Sequence, residues 1–249
     1  MIIIKSASEL DAMRRAGRVV GKTMAILKEK IRPGVTTDEL DRVAESTIRE
    51  LGGVPAFKGY MGFPASICTS VNEQVVHGIP GRRKLREGDI ISVDVGAIVE
   101  GFVGDAGFSA AVGEVSEAAA KLLEATRGAL DAGITKAQPG RRLSDISHAV
   151  EEHVKRYGFS VVRDYVGHGV GRKMWEEPQV PNYGPPGLGP LLRPGMCLAL
   201  EPMVNAGTYE VQVLDDGWTV VTKDSQLSAY FEHSIAITEK GPEILTVAE

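Results

Sequence analysis

The chain has 249 residues, 43% of them hydrophobic and 24% charged, the balance of a globular protein rather than a disordered or fibrous one. Its 28 Lys and Arg against 33 Asp and Glu leave a formal charge of −5, which argues against a dedicated nucleic-acid binder with a basic face. Cys68 and Cys197 are the two cysteines, so a disulfide framework is excluded, and no apolar run approaches the ~18 residues of a membrane span. The opening run Met1 to Ile4 turns polar at Lys5, so no signal peptide is expected, and a cytoplasmic protein with reduced thiols is the simpler reading.

Ser6-Ala7-Ser8-Glu9 has the pattern of a capping box, and Leu10, Met13, Val20, Met24, Leu27 and Ile31 follow at helical spacing until Pro33-Gly34. Thr36-Thr37-Asp38-Glu39 opens a second helix, carrying Leu40, Val43, Ala44 and Ile48, that ends at Gly52-Gly53. Strand-like runs come next, Ser66 to Val71 and Ile90 to Val95. The same order then recurs. An Ala-rich helix from about Glu117 to near Gln138 precedes Pro139-Gly140, Ser144-Asp145 has the look of a cap, and a helix with Ile146, Val150 and Val154 ends at Tyr157-Gly158. His77-Gly78 and His168-Gly169 occupy similar places, and an acid lies eight residues after an arginine in both halves, Arg86 to Asp94 and Arg193 to Glu201. The chain therefore reads as one domain, residues 1–249, built from two α/β halves of about 1–110 and 111–249 with a site between them.

Strand alternation puts Ile90, Ser92 and Asp94 on one face and Ile91, Val93 and Val95 on the other. Cys197, Ala199 and Glu201 likewise share a face opposite Leu198 and Leu200. A turn at Glu100-Gly101 would place Asp94 and Asp105 on one side of a hairpin, and Glu232 precedes the apolar strand Ile235-Ala236-Ile237. Carboxylates in apolar strands are costly to bury without a partner charge or a metal. Four acids and one imidazole, His168, suit two divalent cations, with oxygen-rich ligation favouring Mn, Fe, Co or Zn. Singly, each of these residues is as well read as structural; their joint order is the stronger signal.

That order, with Val76-His77-Gly78-Ile79-Pro80, Gly167-His168-Gly169-Val170-Gly171, Glu176-Glu177-Pro178-Gln179-Val180-Pro181-Asn182-Tyr183, Glu201-Pro202-Met203-Val204-Asn205-Ala206-Gly207 and Glu232-His233, resembles the type I methionine aminopeptidases over essentially the whole chain. The short bacterial form is the nearest match, since the sequence starts directly with the catalytic part. The resemblance implies the pita-bread α/β (α+β) fold: duplicated halves around a central curved antiparallel sheet with helices outside. It implies removal of the initiator methionine from nascent polypeptides by a monomer with a dinuclear metal site. Asp105 and Glu232 would bridge, Asp94 would serve one metal, and His168 and Glu201 the other. Glu201 would shuttle a proton, and His77 would hydrogen-bond the substrate peptide group. The methionine pocket would comprise Tyr60, Phe63, Cys68, Met174 and Trp218, with Trp175 near the scissile bond.

The chain departs from the family pattern at a few places. Trp175 stands where a second histidine is usual, and it can neither accept a proton nor release one. Gly96 and Ala106 replace hydroxyl residues near the aspartates, and Phe57 replaces a cysteine at the pocket rim. Three competing readings follow: a specialised or less active paralogue, a proline-directed aminopeptidase of the same fold, and a binding module without activity. The basic run Gly81-Arg82-Arg83-Lys84-Leu85-Arg86 reads as a solvated turn ahead of a contact with ribosomal RNA.

Overall fold

The computed structural model describes residues 1–248. Two helices, α1 (Ala7–Lys30) and α2 (Thr37–Glu50), precede strands β1 (Val54–Pro55), β2 (Ile67–Val71), β3 (Ile90–Val99) and β4 (Phe102–Ala111). A second pair, α3 (Glu117–Lys136) and α4 (Leu143–Tyr157), is followed by β5 (Ser160–Val161), β6 (Gly167–Gly169), β7 (Glu176–Val180), β8 (Cys197–Leu200), β9 (Met203–Asn205), β10 (Val211–Val213), β11 (Val220–Thr222), β12 (Ser228–Tyr230), β13 (His233–Thr238) and β14 (Gly241–Ile244). Among the described residues no helix is long and apolar enough to cross a membrane.

Both capping boxes form: Ser6 and Thr36 each accept an amide three residues on, and Glu9 and Glu39 return the bond to the cap. The start of α4 differs from the sequence reading. Arg142 is the cap, and Asp145 accepts its amide at 3.2 Å. Ser144 lies inside the helix because the loop 188–190 takes over the end: the Leu143 and Ser144 amides donate to Pro190 and Leu188, and the Ser144 hydroxyl accepts from Leu188. Orphan amides at a helix start must find acceptors somewhere, and here a distant segment supplies them.

The strands β14-β13-β8-β6-β7 form an antiparallel sheet in that order, and β1, β2 and β4 pair antiparallel with one another's neighbour β3 in a second. The two join where Glu232 donates to the Gly107 carbonyl at 2.8 Å and Gly107 donates back at 3.3 Å. Ser234 locks the seam, its hydroxyl donating to the Asp105 carbonyl at 2.7 Å. Helices cover one side of this surface. Val20, Met24, Leu27, Leu40 and Ile48 pack on Ile91, Val93 and Val95, while Leu130, Ile134 and Ile146 pack on Leu198, Leu200, Ile235 and Ile237. Each such side chain contributes ~1.5–3 kcal/mol by leaving water. The alternate residues of the same strands face the other way, and those are the ones that carry acids.

Candidate metal centre and adjoining cavity

The β3–β4 hairpin turns at Glu100-Gly101, whose φ values of 51° and 77° are the left-handed pair that matches strand twist in a two-residue turn. The register pairs Asp94 with Gly107 and Asp105 with Gly96, so both aspartates project from one face on a diagonal. In the other sheet Glu201 directly follows β8, Glu232 directly precedes β13, and His168 sits in β6 opposite Ala199. His233 pairs with Leu200, which brings Glu201 and Glu232 side by side just beyond the strand ends. The seam between the sheets then delivers all five groups to one cavity.

Their electrostatics are those of a site awaiting positive charge. Burial pushes Asp105 up to about 7. Burial first, and repulsion from Asp105 second, raise Asp94, Glu201 and Glu232 well above the usual carboxylate range. Asp94 Oδ1, Asp105 Oδ1 and Glu232 Oε1 are buried with no hydrogen-bond partner, although Tyr230 donates its hydroxyl to the other oxygen of Glu232. His168 Nδ1 lies 2.9 Å from the Gly169 carbonyl, which fixes the ring proton there and leaves Nε2 as a lone pair. That lone pair faces Glu201 Oε1 at 3.3 Å and Asp105 Oδ2 at 3.8 Å. Acceptors confronting acceptors in a buried pocket are unfavourable unless a cation stands between them. Asp105, His168 and Glu232 each offer a ligand atom within 4.8 Å of the others. These residues fit a divalent metal ion, with oxygen and imidazole donors of the kind Mn, Fe, Co or Zn accept. The Cys68 thiol is held protonated by burial beside the carboxylates and adds no thiolate to the set.

The cavity has a volume of about 140 Å³, well below the ~300 Å³ at which sites for drug-sized ligands begin. It has room for one side chain and the bond next to it. Every residue singled out from the sequence lines it: Tyr60, Phe63, Cys68, His77, Met174, Trp175 and Trp218, together with the four acids and His168. Phe63 and Trp218 meet edge to face at 5.1 Å, and Phe63, Cys68 and Met174 are buried. The sequence reading missed Val76, Tyr165, Val166, Met203 and Tyr230 as wall residues. Tyr230 alone had a signal, since it precedes Glu232 by two and shares its face by strand alternation.

His77 is half-buried, and loss of water around its ring lowers its pKa and keeps it neutral, with Tyr165 and Trp218 packed edge to face against it. Its φ of 59° is the left-handed region, and Gly78 follows because a Cβ there would run into the Thr69 carbonyl. The two hydroxyl-to-small departures have separate causes. Ala106 faces the helices rather than the acids. At Gly96 a Cβ would lie 2.8 Å from the Phe57 ring, so Phe57 occupies the space a side chain would need. Gly96→Thr is therefore expected to cost about 1–3 kcal/mol by overpacking. Combining it with Phe57→Ala should cost less than the two single losses added, as read from thermal melts; simple additivity would break the link. Trp175 is half exposed at the cavity mouth, edge to face with Tyr60 at 5.6 Å and with the His168 ring at 6.3 Å.

A curved antiparallel sheet backed by helix pairs, with a buried carboxylate–histidine centre at its seam, defines a metallohydrolase of the pita-bread class. Residues 11–239 match the model of metallopeptidase family M24, and the chain belongs to that family. It is 56% identical to a methionine aminopeptidase of Clostridium acetobutylicum, with both chains covered over 100% of their length. It is also 56% identical to methionine aminopeptidase 1 of Bacillus subtilis, over 99% of each chain. Among solved structures, the methionine aminopeptidase of Thermotoga maritima superimposes with a TM-score of 0.98 at 49% identity, covering 99% of this chain and 100% of that one.

Proposed function

We propose that this protein is a metal-dependent methionine aminopeptidase, removing the N-terminal methionine of nascent polypeptides. The observation that carries the reading is the juxtaposition of the carboxylate–histidine centre with a side-chain-sized cavity of aromatic and sulfur groups. A thioether packs favourably on aromatic rings, by ~0.3–1.5 kcal/mol per contact. The relatives that span the chain carry the same name, which disfavours the paralogue and proline-directed alternatives.

In this reading Asp94, Asp105, His168, Glu201 and Glu232 would hold two divalent ions. The metal, when bound, polarises a carbonyl and lowers the pKa of water toward neutrality. Phe63, Cys68, Met174 and Trp218 take the methionine side chain, and Tyr60 closes its open end. Glu201 accepts a proton from the attacking water and returns it to the leaving amine. Neutral His77 donates to the substrate's peptide group. Tyr230 fixes the rotamer of Glu232 through its hydroxyl. A cytoplasmic monomer acting on chains at the ribosome completes the proposal.

The test is release of methionine from Met-Ala-Ser by chelated protein given Mn, Co, Fe or Zn in turn, with an X-Pro peptide alongside. Methionine release with at least one metal and none of X from X-Pro is expected. Silence on Met-Ala-Ser with every metal would sink the reading.

A further inference from the structure

A cavity of about 140 Å³ holds one residue, so the rest of a polypeptide has to leave it. Beside it runs an open groove of about 690 Å³, and Tyr165, Val166, His168 and Trp175 wall both. The groove continues over strand β7 to Glu177 and Gln179. Strand β7 is the outer strand of its sheet, and its exposed residues Glu177 and Gln179 alternate with buried Pro178 and Val180. The register aligns Ser234, Ala199, His168 and Gln179 in one row across β13, β8, β6 and β7. Residues paired in register project from the same face, so Gln179 stands beside His168, one strand farther from the carboxylates.

The groups in the groove differ in how free they are. Glu176 is paired with Lys5, and Arg172 with Glu9 while its guanidinium covers the Phe102 ring. The Gln179 amide has no partner among the described residues, and it offers one donor and one acceptor group, the complement of a peptide unit. Adjacent strands are ~4.8 Å apart and an extended chain advances ~3.3 Å per residue. A chain leaving the scissile bond near His168 thus reaches Gln179 within two residues.

We propose that this groove is the track for the second to fourth residues of the polypeptide substrate, with Trp175 covering the second residue and Gln179 hydrogen-bonding the backbone beyond it. The proposal rests on the aminopeptidase reading and adds a subsite to it. Continuity with the cavity selects this occupant over a separate partner. Gln179 is exposed and bears on no core contact, so replacing it leaves folding intact.

The experiment compares Met-Ala-amide with Met-Ala-Ser-Gly-amide on the metal-loaded protein. The expected result is that kcat/KM is about three- to tenfold higher for the longer peptide, mainly through KM, and that Gln179→Ala removes most of this advantage, the range a single net hydrogen bond supplies. Equal kcat/KM for the two lengths in the wild type, or an equal fall for both in Gln179→Ala, overturns the groove assignment. Absence of methionine release from either peptide would instead count against the aminopeptidase reading. Calorimetric titration with Ala-Ser-Gly-Lys then decides the groove alone: binding weakened several-fold by Gln179→Ala supports it, and binding indifferent to the substitution overturns it.

Discussion

Asp105→Asn is expected to move two quantities in opposite directions: the metal-free protein becomes more stable, and the stabilisation by metal disappears. The first effect follows from like charges. Burial first raises Asp94, Glu201 and Glu232, repulsion from Asp105 adds to it in all three, and the Asp105 carboxyl is itself pushed up by burial to about 7. A carboxyl raised in the folded state costs nothing below its ordinary value, here 3.8, and the cost grows as pH rises to about 7 and is fully present above that. The melting temperature of metal-free Asp105→Asn should therefore exceed that of the wild type by a margin that widens from pH 5 to pH 8. The second effect follows from linkage, since a ligand at 100 times its Kd stabilises by about 2.7 kcal/mol. Saturating Mn or Co should raise the wild-type melting temperature and leave the variant unmoved. Turnover should fall by at least about 10²–10³-fold, the scale of losing one charge-stabilising group from a reaction centre. A wild type that melts above the variant without metal at pH 8 would refute the repulsion. A metal shift retained in the variant would refute Asp105 as a ligand.

The parts of this site that could be read from the chain are those encoded locally. The capping boxes at Ser6 and Thr36 and the turn at Glu100-Gly101 depend on residues within a few positions of one another. Strand alternation separated Asp94 from Val93 and Glu201 from Leu200 without knowledge of what either face meets. Contacts that close over long stretches of chain were not legible. Ser234 reaches Asp105 across 129 residues, and Tyr230 pairs with Ser109 across 121. The loop 188–190 that resets the start of α4 likewise arrives from more than forty residues away. Phe57 and Gly96 looked like two unrelated departures, and only the packing of one ring into the other's missing side chain makes them a single feature. Order and spacing of chemistry-bearing groups survive in one dimension, so the residues that line the cavity could be named from the chain, whereas the groove over β7 depends on register across four strands.

Lys5 illustrates the same limit with the largest stability effect. In the sequence it only ends an apolar run. In the structure its ammonium donates to Glu176 at 2.6 Å, and each side chain is 3% exposed. The pair is tightly enclosed: a Cβ at Gly171 would lie 2.5 Å from Glu176 Oε1 and 2.7 Å from Lys5 Cε. Surface ion pairs such as Arg49 with Glu45 or Lys155 with Glu152 are largely exposed and worth ~0.2–1 kcal/mol each. A buried pair behaves differently, because removing one partner strands the other charge out of water. Lys5→Met should therefore cost about 3–5 kcal/mol. At ~2–4 °C per kcal/mol for a chain of this size, the melting temperature drops by roughly 6–20 °C. The double variant Lys5→Met, Glu176→Leu should recover most of that loss, since desolvating two ions consumes much of what their attraction returns. Glu176 directly follows Trp175 and opens the strand that bears Gln179, so the single variant should also weaken selection for longer peptides. A loss below about 1 kcal/mol in Lys5→Met would mean that water reaches the pair. A double variant no better than the single one would show that the pair is held for its fit rather than its charge.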